Sequence, residues 1–359
     1  MRLKVGIIGC GNISGIYMEN SKRFPEFDIV ACADLMKEKA HEAAERYKIE
    51  HVMPVDELLA SPDIDLILNL TIPQAHAEIS LKAIENRKHV YSEKPLAIAF
   101  EDGKKILQAA ARHDVMVGAA PDTFLGGSIQ LAGRILAEGR IGKVVGASAF
   151  MMSRGPESWH PNPEFYYQKG GGPMFDMGPY YLTALVSLLG PARRIAGSVR
   201  TTFQERTITE ASRSGEKIKV QVPTHVSGML DFEDGASATI TTSFDVSAAR
   251  TPFIEIYGEE GTISLPDPNH FNHPLQLKRF DDQDWQEIHP EGDTHDNLRG
   301  IGLADMAKAV MQGHVHRANG DMALHVLEIM HGIHRSSERG VHYMMEHACV
   351  KPQLLMDVK

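Results

Sequence analysis

Val5-Gly6-Ile7-Ile8-Gly9-Cys10-Gly11-Asn12-Ile13-Ser14-Gly15 is an apolar strand that runs into a glycine-rich turn, and a helical stretch opens behind it at Ile16-Tyr17-Met18. Gly9 permits a tight turn and Gly11 lets a backbone approach a pyrophosphate. The N-terminus of the next helix offers unpaired N–H groups and the positive end of a dipole. The third glycine of the dinucleotide fingerprint is Ser14 here, small enough for close helix–strand packing, with Gly15 beside it. Strand, GxGxxS and helix in that order predict the opening of a parallel α/β sheet that binds a dinucleotide.

The residues that follow extend this pattern. A second strand, Asp28 to Ala33, ends at Asp34, and a helix is predicted from about Lys37 to Tyr47. A carboxylate about 20 residues past the glycine loop accepts hydrogen bonds from ribose hydroxyls of NAD and repels the extra phosphate of NADP. Lys37 and Lys39 keep NADP open, and Asp34 also reads as a helix N-cap. Asp65 to Leu70 has the length and apolarity of a buried parallel strand. Thr71-Ile72-Pro73 closes it, and Pro73 suits the first turn of a helix in which His76 either meets the cofactor or fills that turn. The short run Lys88 to Tyr91 must end by Pro95, which cannot donate to a sheet ladder. Lys94 therefore stands at the carboxyl end of a strand, the edge where open α/β sheets bind ligands, and a lysine shielded from water there can act as a base. A helix from Phe100 to His113 and a strand from Val115 to Ala119 complete a domain of residues 1–122.

At 359 residues the chain predicts two domains, and 43% hydrophobic with 23% charged residues is globular composition. A formal charge of −10 argues against nucleic acid and anionic membranes as partners. Cys10, Cys32 and Cys349 form no paired spacing, which suits a reducing compartment. Met1-Arg2-Leu3-Lys4 and the apolar run behind it mimic a leader but are broken by glycine, and no run reaches the ~20 apolar residues of a membrane span. The expectation is a cytoplasmic protein without a membrane partner. His331 and His334, one helical turn apart near His325, invite a metal, but no carboxylate or cysteine completes a ligand set, so no metal is expected.

The second domain, residues 123–359, has a different grain. A helix is predicted from Leu125 to Glu138 and a strand from Lys143 to Met152. A long loop from Gly155 to Gly172 then carries Trp159, His160, Phe165, Tyr166 and Tyr167. Such aromatic content favours a binding loop over a linker, and aromatic faces match sugar rings, so Trp159 and His160 are candidate substrate contacts. Gly170 to Tyr181 opens a helix in which Asp176 and Tyr180, at i and i+4, share a face. From Arg193 onward, short β-prone runs joined by Glu-Asp-Gly and Gly-Glu-Glu-Gly turns predict an antiparallel meander. Two helices close the chain, His295 to Gln312 and Asp321 to Arg339; Arg299 and Asp305 read equally as pocket or surface charges. A sheet with one face open predicts pairing between subunits, as a homodimer or homotetramer.

Gly9-Cys10-Gly11-Asn12-Ile13, Asp34, Thr71-Ile72-Pro73 with His76, and Glu93-Lys94-Pro95 resemble the Gfo/Idh/MocA oxidoreductases, and the likeness extends over the second half. The resemblance implies an N-terminal Rossmann domain with a doubly wound parallel sheet and a C-terminal α+β domain with a large open-faced sheet used for dimerisation. It implies NAD contacts from Gly9, Gly11, Asn12, Ile13, Asp34, Thr71, Pro73, His76, Glu93 and Lys94, with Lys94 touching the reacting hydroxyl and the nicotinamide. The family's second motif places a histidine four residues after an aspartate. Here Tyr180 follows Asp176, a placement similar to that of glucose–fructose oxidoreductases and dimeric dihydrodiol dehydrogenases. The expected activity is hydride transfer between a nicotinamide and a hydroxyl-bearing carbon of a sugar or polyol, with Lys94, Tyr180 and Asp176 catalytic. An NAD-dependent glycoside hydrolase and a non-catalytic sugar sensor are the alternatives.

Overall fold

The computed structural model describes residues 2–292 and 295–355; Met1 of the opening basic run lies outside them. Two compact units form, one from the chain up to residue 125 with 297–327, the other from 126–296 with the segment from 328 onward.

The first unit alternates strand and helix: β1 (Leu3–Ile8), α1 (Ser14–Asn20), β2 (Phe27–Ala33), α2 (Lys37–Tyr47), β3 (His51–Val52), α3 (Val55–Ala60), β4 (Leu66–Asn69), α4 (Pro73–Glu85), β5 (His89–Ser92), α5 (Phe100–His113) and β6 (Val117–Ala119). All six strands run parallel in the order β3-β2-β1-β4-β5-β6, the doubly wound arrangement. Leu66, Ile67, Leu68 and Asn69 are all buried, as a strand covered on both faces requires. The register sets Ala33, Ile8, Asn69, Ser92 and Ala119 side by side. Whatever follows each of those residues emerges on one edge.

A late segment joins this unit. Asn20 Nδ2 donates to the carbonyls of Asn297 and Arg299 at 2.9 and 3.0 Å, and Asp122 Oδ2 accepts N–H bonds from Gly300 and Gly302 at 2.9 and 3.0 Å. The sequence pattern predicts a helix from His295, but it begins at Ile301. Gly300 has a φ of 105°, outside helical space, and that turn sets the start.

In the second unit lie α6 (Gly127–Ala137), β7 (Val144–Met152), α7 (Pro173–Asp176), α8 (Gly178–Leu189), β8 (Ala192–Arg200), β9 (Glu205–Thr207), β10 (Lys217–Lys219), β11 (His225–Phe232), β12 (Ser237–Ser243), β13 (Ile254–Gly258), β14 (Gly261–Leu265), β15 (Leu275–Arg279) and β16 (Gln286–Ile288). Behind α9 (Ile301–Gln312) of the first unit, α10 (Gly320–Arg339) carries the chain into this unit, whose last strand is β17 (Tyr343–Met344). The sheet order is β16-β15-β14-β13-β7-β12-β11-β8-β17. It is not the simple meander the turns predict. β7 lies between β13 and β12 and pairs parallel with β12, a non-local pairing that no hairpin turn encodes. The run at Ile218 leaves the sheet altogether, because β9 and β10 pair only with each other. Val226, Leu230, Ile240, Ile256, Ile263 and Leu277 point to the covered face. Ser227, Met229, Thr239, Thr241, Glu255, Tyr257 and Ser264 alternate onto the other. Gly197 and Gly228 let α10 lie directly on the covered face, since a Cβ on Gly197 would sit 2.1 Å from the Ile333 carbonyl.

Candidate active site

Shared register brings Gly9, Asp34, Thr71 and Glu93-Lys94 to the carboxyl edge of the first sheet, directly behind β1, β2, β4 and β5. Gly9 has a φ of 102°, and a Cβ there would lie 2.6 Å from the carbonyl group of Leu70, backbone that cannot give way. Over Gly11 a Cβ would meet nothing within 4 Å. That open cradle fits a pyrophosphate passing the loop, with Asn12 and Ile13 next to it in the chain. Ser14, in the third glycine's place, closes the turn with an Oγ–H bond to the Gly11 carbonyl at 2.7 Å.

Asp34 is held by backbone, not by cations. Its Oδ2 accepts the Cys10 N–H at 2.7 Å and its Oδ1 the Met36 N–H at 2.8 Å. Each oxygen keeps a lone pair for a ribose hydroxyl. The next side chains, Leu35 and Met36, are 96% and 54% exposed and apolar, so they offer nothing to a 2′-phosphate. Asp34→Ala is expected to erode the preference for NAD over NADP by about tenfold or more, the worth of one charge-assisted contact. Parallel fluorescence titrations with NADH and NADPH measure this; unchanged discrimination would assign selectivity elsewhere.

The turn after β4 is knotted. Asn69 Nδ2 donates to the His76 carbonyl and to Ser80 Oγ at 3.0 and 3.1 Å, while its Oδ1 accepts the Thr71 hydroxyl at 2.7 Å. Pro73 stands in the first turn of α4, where its missing N–H costs nothing. His76 is 1% exposed, and its ring nitrogens lie 2.7 Å from the Pro95 carbonyl and 2.9 Å from that of Thr71. Burial pushes its pKa below the usual histidine range. The ring lies between the Thr71 turn and the Glu93-Lys94-Pro95 turn, and as a neutral imidazole it donates its one N–H to one of the two carbonyls at a time. Glu93 also works inward, accepting the Tyr17 hydroxyl and the Lys94 N–H. Asp122, buried nearby in the same unit, has its carboxyl pushed up to about 6 by burial, against the two N–H bonds that favour its charge.

Asp305 belongs to the fold: it takes the Arg317 N–H at 2.7 Å and pairs with the Arg317 guanidinium. Arg299 Nη1 donates to Asn297 Oδ1 at 3.0 Å. Sequence reasoning missed Tyr17 and Asp122, whose partners stand 76 and at least 178 residues away.

In the second unit Asp176 and Tyr180 do not share one helix. Asp176 ends α7 and Tyr180 stands in the first turn of α8, with Met177 between the two helices. Pro179 has no N–H to give and its ring would strike the carbonyl four residues back, so the helix restarts at Gly178. The signal was present in Gly178-Pro179. Tyr180 is buried, and its N–H bonds to the Met177 carbonyl at 3.0 Å. Trp159 and His160 meet edge to face at 5.4 Å, and Phe165 and Tyr166 close on His160 at 5.2 and 5.3 Å. Trp159 stays 62% exposed. The loop is not irregular throughout, since single 3-10 turns form at Pro156–Ser158 and Pro163–Tyr167. Among the described residues no three His, Cys, Asp or Glu side chains are grouped to hold a metal, and no helix is long and apolar enough to cross a membrane.

A parallel sheet with a dinucleotide cradle, followed by a mixed sheet with covering helices, defines a two-unit oxidoreductase. The chain belongs to the Gfo/Idh/MocA family: the oxidoreductase model with an NAD-binding Rossmann fold matches residues 3–120, and the family's C-terminal domain model matches residues 129–264. It is an NAD-binding dehydrogenase or reductase. Over 265 residues it is 28% identical to the 1,5-anhydro-D-fructose reductase of Ensifer adhaerens, covering 72% of this chain and 74% of that one. Over 263 residues it is 25% identical to the myo-inositol 2-dehydrogenase of Thermotoga maritima, covering 73% and 74%. The solved structure of levoglucosan dehydrogenase in complex with NADH and L-sorbose shares the fold, with a TM-score of 0.84 at 22% identity over 96% of this chain and 99% of that one.

Proposed function

We propose that this protein moves a hydride between NAD and a hydroxyl-bearing carbon of a cyclic sugar or polyol, with residues 1–122 as cofactor domain and 123–359 for substrate and self-association. The observation that carries the reading is the convergence of the Gly9 cradle, Asp34 and Lys94 on one sheet edge. Relatives named for a sugar reductase and a polyol dehydrogenase support the substrate class. NAD supplies the hydride acceptor. Lys94 holds the reacting oxygen, Tyr180 accepts the hydroxyl proton in oxidation and returns it in reduction, and Asp176 orients a neighbouring hydroxyl. Trp159 and His160 receive the ring of the substrate, for which a half-exposed aromatic group is well suited.

Incubation with NAD and a panel of pyranoses, anhydrosugars and inositols should raise absorbance at 340 nm for some members. His160→Ala should raise KM for those substrates and leave NADH affinity unchanged. Cleavage of a glycoside without net NADH would overturn the dehydrogenase reading. We place the protein in the cytoplasm, since Cys10, Cys32 and Cys349 are thiols not joined in a disulfide, and fractionation tests this. The second sheet's uncovered face, small and hydroxylated with Met229 and Tyr257 exposed, is proposed as the dimer surface. A monomer in light scattering at micromolar concentration would refute that.

A further inference from the structure

Tyr17 lies in α1, directly behind the dinucleotide loop, and is 2% exposed. Burial, then the charge of Glu93, hold its pKa well above the usual tyrosine range, so its hydroxyl is a donor. It donates to Glu93 Oε1 at 2.9 Å, and Glu93 Oε2 accepts the N–H of Lys94 at 3.0 Å. The backbone around that carboxylate is fixed as well: the Glu93 N–H bonds to the Asn69 carbonyl at 2.9 Å, and the Pro95 carbonyl meets His76 at 2.7 Å. Phenylalanine would fill the same core volume, so packing alone does not call for this hydroxyl. The hydroxyl is committed to a carboxylate one residue from Lys94. We infer that Tyr17 and Glu93 are positioning residues that fix Lys94 relative to the glycine loop, through a two-bond bridge from α1 to the Lys94 amide.

This rests on the assignment of Lys94 to the nicotinamide side. Its physical basis is that a displacement of about 1 Å in a positioned group costs about 10² in rate, so the root of the side chain has to be held. Without the Tyr17 hydroxyl, Glu93 Oε1 loses its donor in a buried setting, and the carboxylate turns away from the Lys94 N–H to find another.

Trace labelling of lysine amines with acetic anhydride, read by mass spectrometry with and without saturating NADH, tests the bridge. In the wild type NADH is expected to suppress labelling of Lys94 by about tenfold, the effect of one pKa unit on the free-amine fraction. Tyr17→Phe should bind NADH yet lose most of that suppression. Glu93→Ala should do the same, because it removes both accepting oxygens, and the double variant should be no worse than either. Lys88, whose Nζ is held by the Ser61 and Ile64 carbonyls, serves as internal control, since general loosening would raise its labelling too. Lys94 protected as in the wild type in a folded Glu93→Ala or Tyr17→Phe would overturn the bridge. So would equal exposure of Lys88 in the variants. Absence of NADH protection in the wild type would instead remove the assignment of Lys94 itself, and this inference with it.

Discussion

Lys94→Ala is expected to lower kcat by about 10² or more while NADH affinity holds, the size of a positioned proton-transfer contribution. Pro95 and the Glu93 backbone bond end β5 at Ser92 and set the Lys94 side chain on the sheet edge that carries the Gly9 loop and Asp34. An alanine preserves that backbone and removes only the amine. Tyr180→Phe should cost a similar factor, because Phe conserves the volume of a buried ring and deletes only the oxygen. Groups that handle one proton as a unit are not additive, so the double variant should be scarcely worse than the poorer single one. Steady-state kinetics on a substrate found in the panel, with pH profiles from 6 to 10, measure all three. A Tyr180→Phe enzyme with full kcat and an unchanged pH profile would make Tyr180 a packing residue and leave Lys94 as sole base.

The first unit was legible because its rules are local. Gly9 announces its turn, Pro73 its helix start, and the apolar run before Asn69 its burial, and Phe100–His113 matches the predicted helix residue for residue. Strand order then follows from alternation of strand and helix, which leaves few connections. The second unit resisted for the opposite reason. The parallel pairing of β7 with β12 joins residues about 90 apart in sequence, and no turn motif specifies a pairing at that distance. The break between Asp176 and Tyr180 has a different cause: i, i+4 spacing is compatible with one helix, but Gly178-Pro179 stops a continuous one physically, which spacing alone does not register. The candidate site residues divide along the same line. Asp34 and Lys94 sit at strand ends and can be read there, whereas Tyr17 and the inward role of Glu93 depend on contacts made only after folding.

Arg206→Met should destabilise the lobe that carries Trp159 and His160 by about 3–5 kcal/mol, the usual cost of stripping one partner from a buried ion pair. The guanidinium of Arg206 pairs with Glu157, meets Asp245 at 2.7 Å, and donates to the carbonyls of Arg154 and Phe244. All three charged side chains are 10% exposed or less. Around them Tyr167, Ile208, Ile218, Val220 and Phe244 form a small core of their own, and Thr209 and Glu210 donate their N–H groups to the Glu157 carbonyl at 2.9 and 2.8 Å. Methionine replaces the aliphatic stem but leaves two buried carboxylates without their cation, which costs more than deleting the whole cluster. Adding Glu157→Gln and Asp245→Asn to Arg206→Met should therefore recover part of the loss. Hydrogen exchange over 154–172 and 203–222 should speed up in the single variant, and KM for the sugar should rise further than NADH affinity falls, because the lobe belongs to the second unit and the cradle to the first. Unchanged exchange in both segments would mean that the aromatic loop is held by its small core and that the ion cluster contributes little.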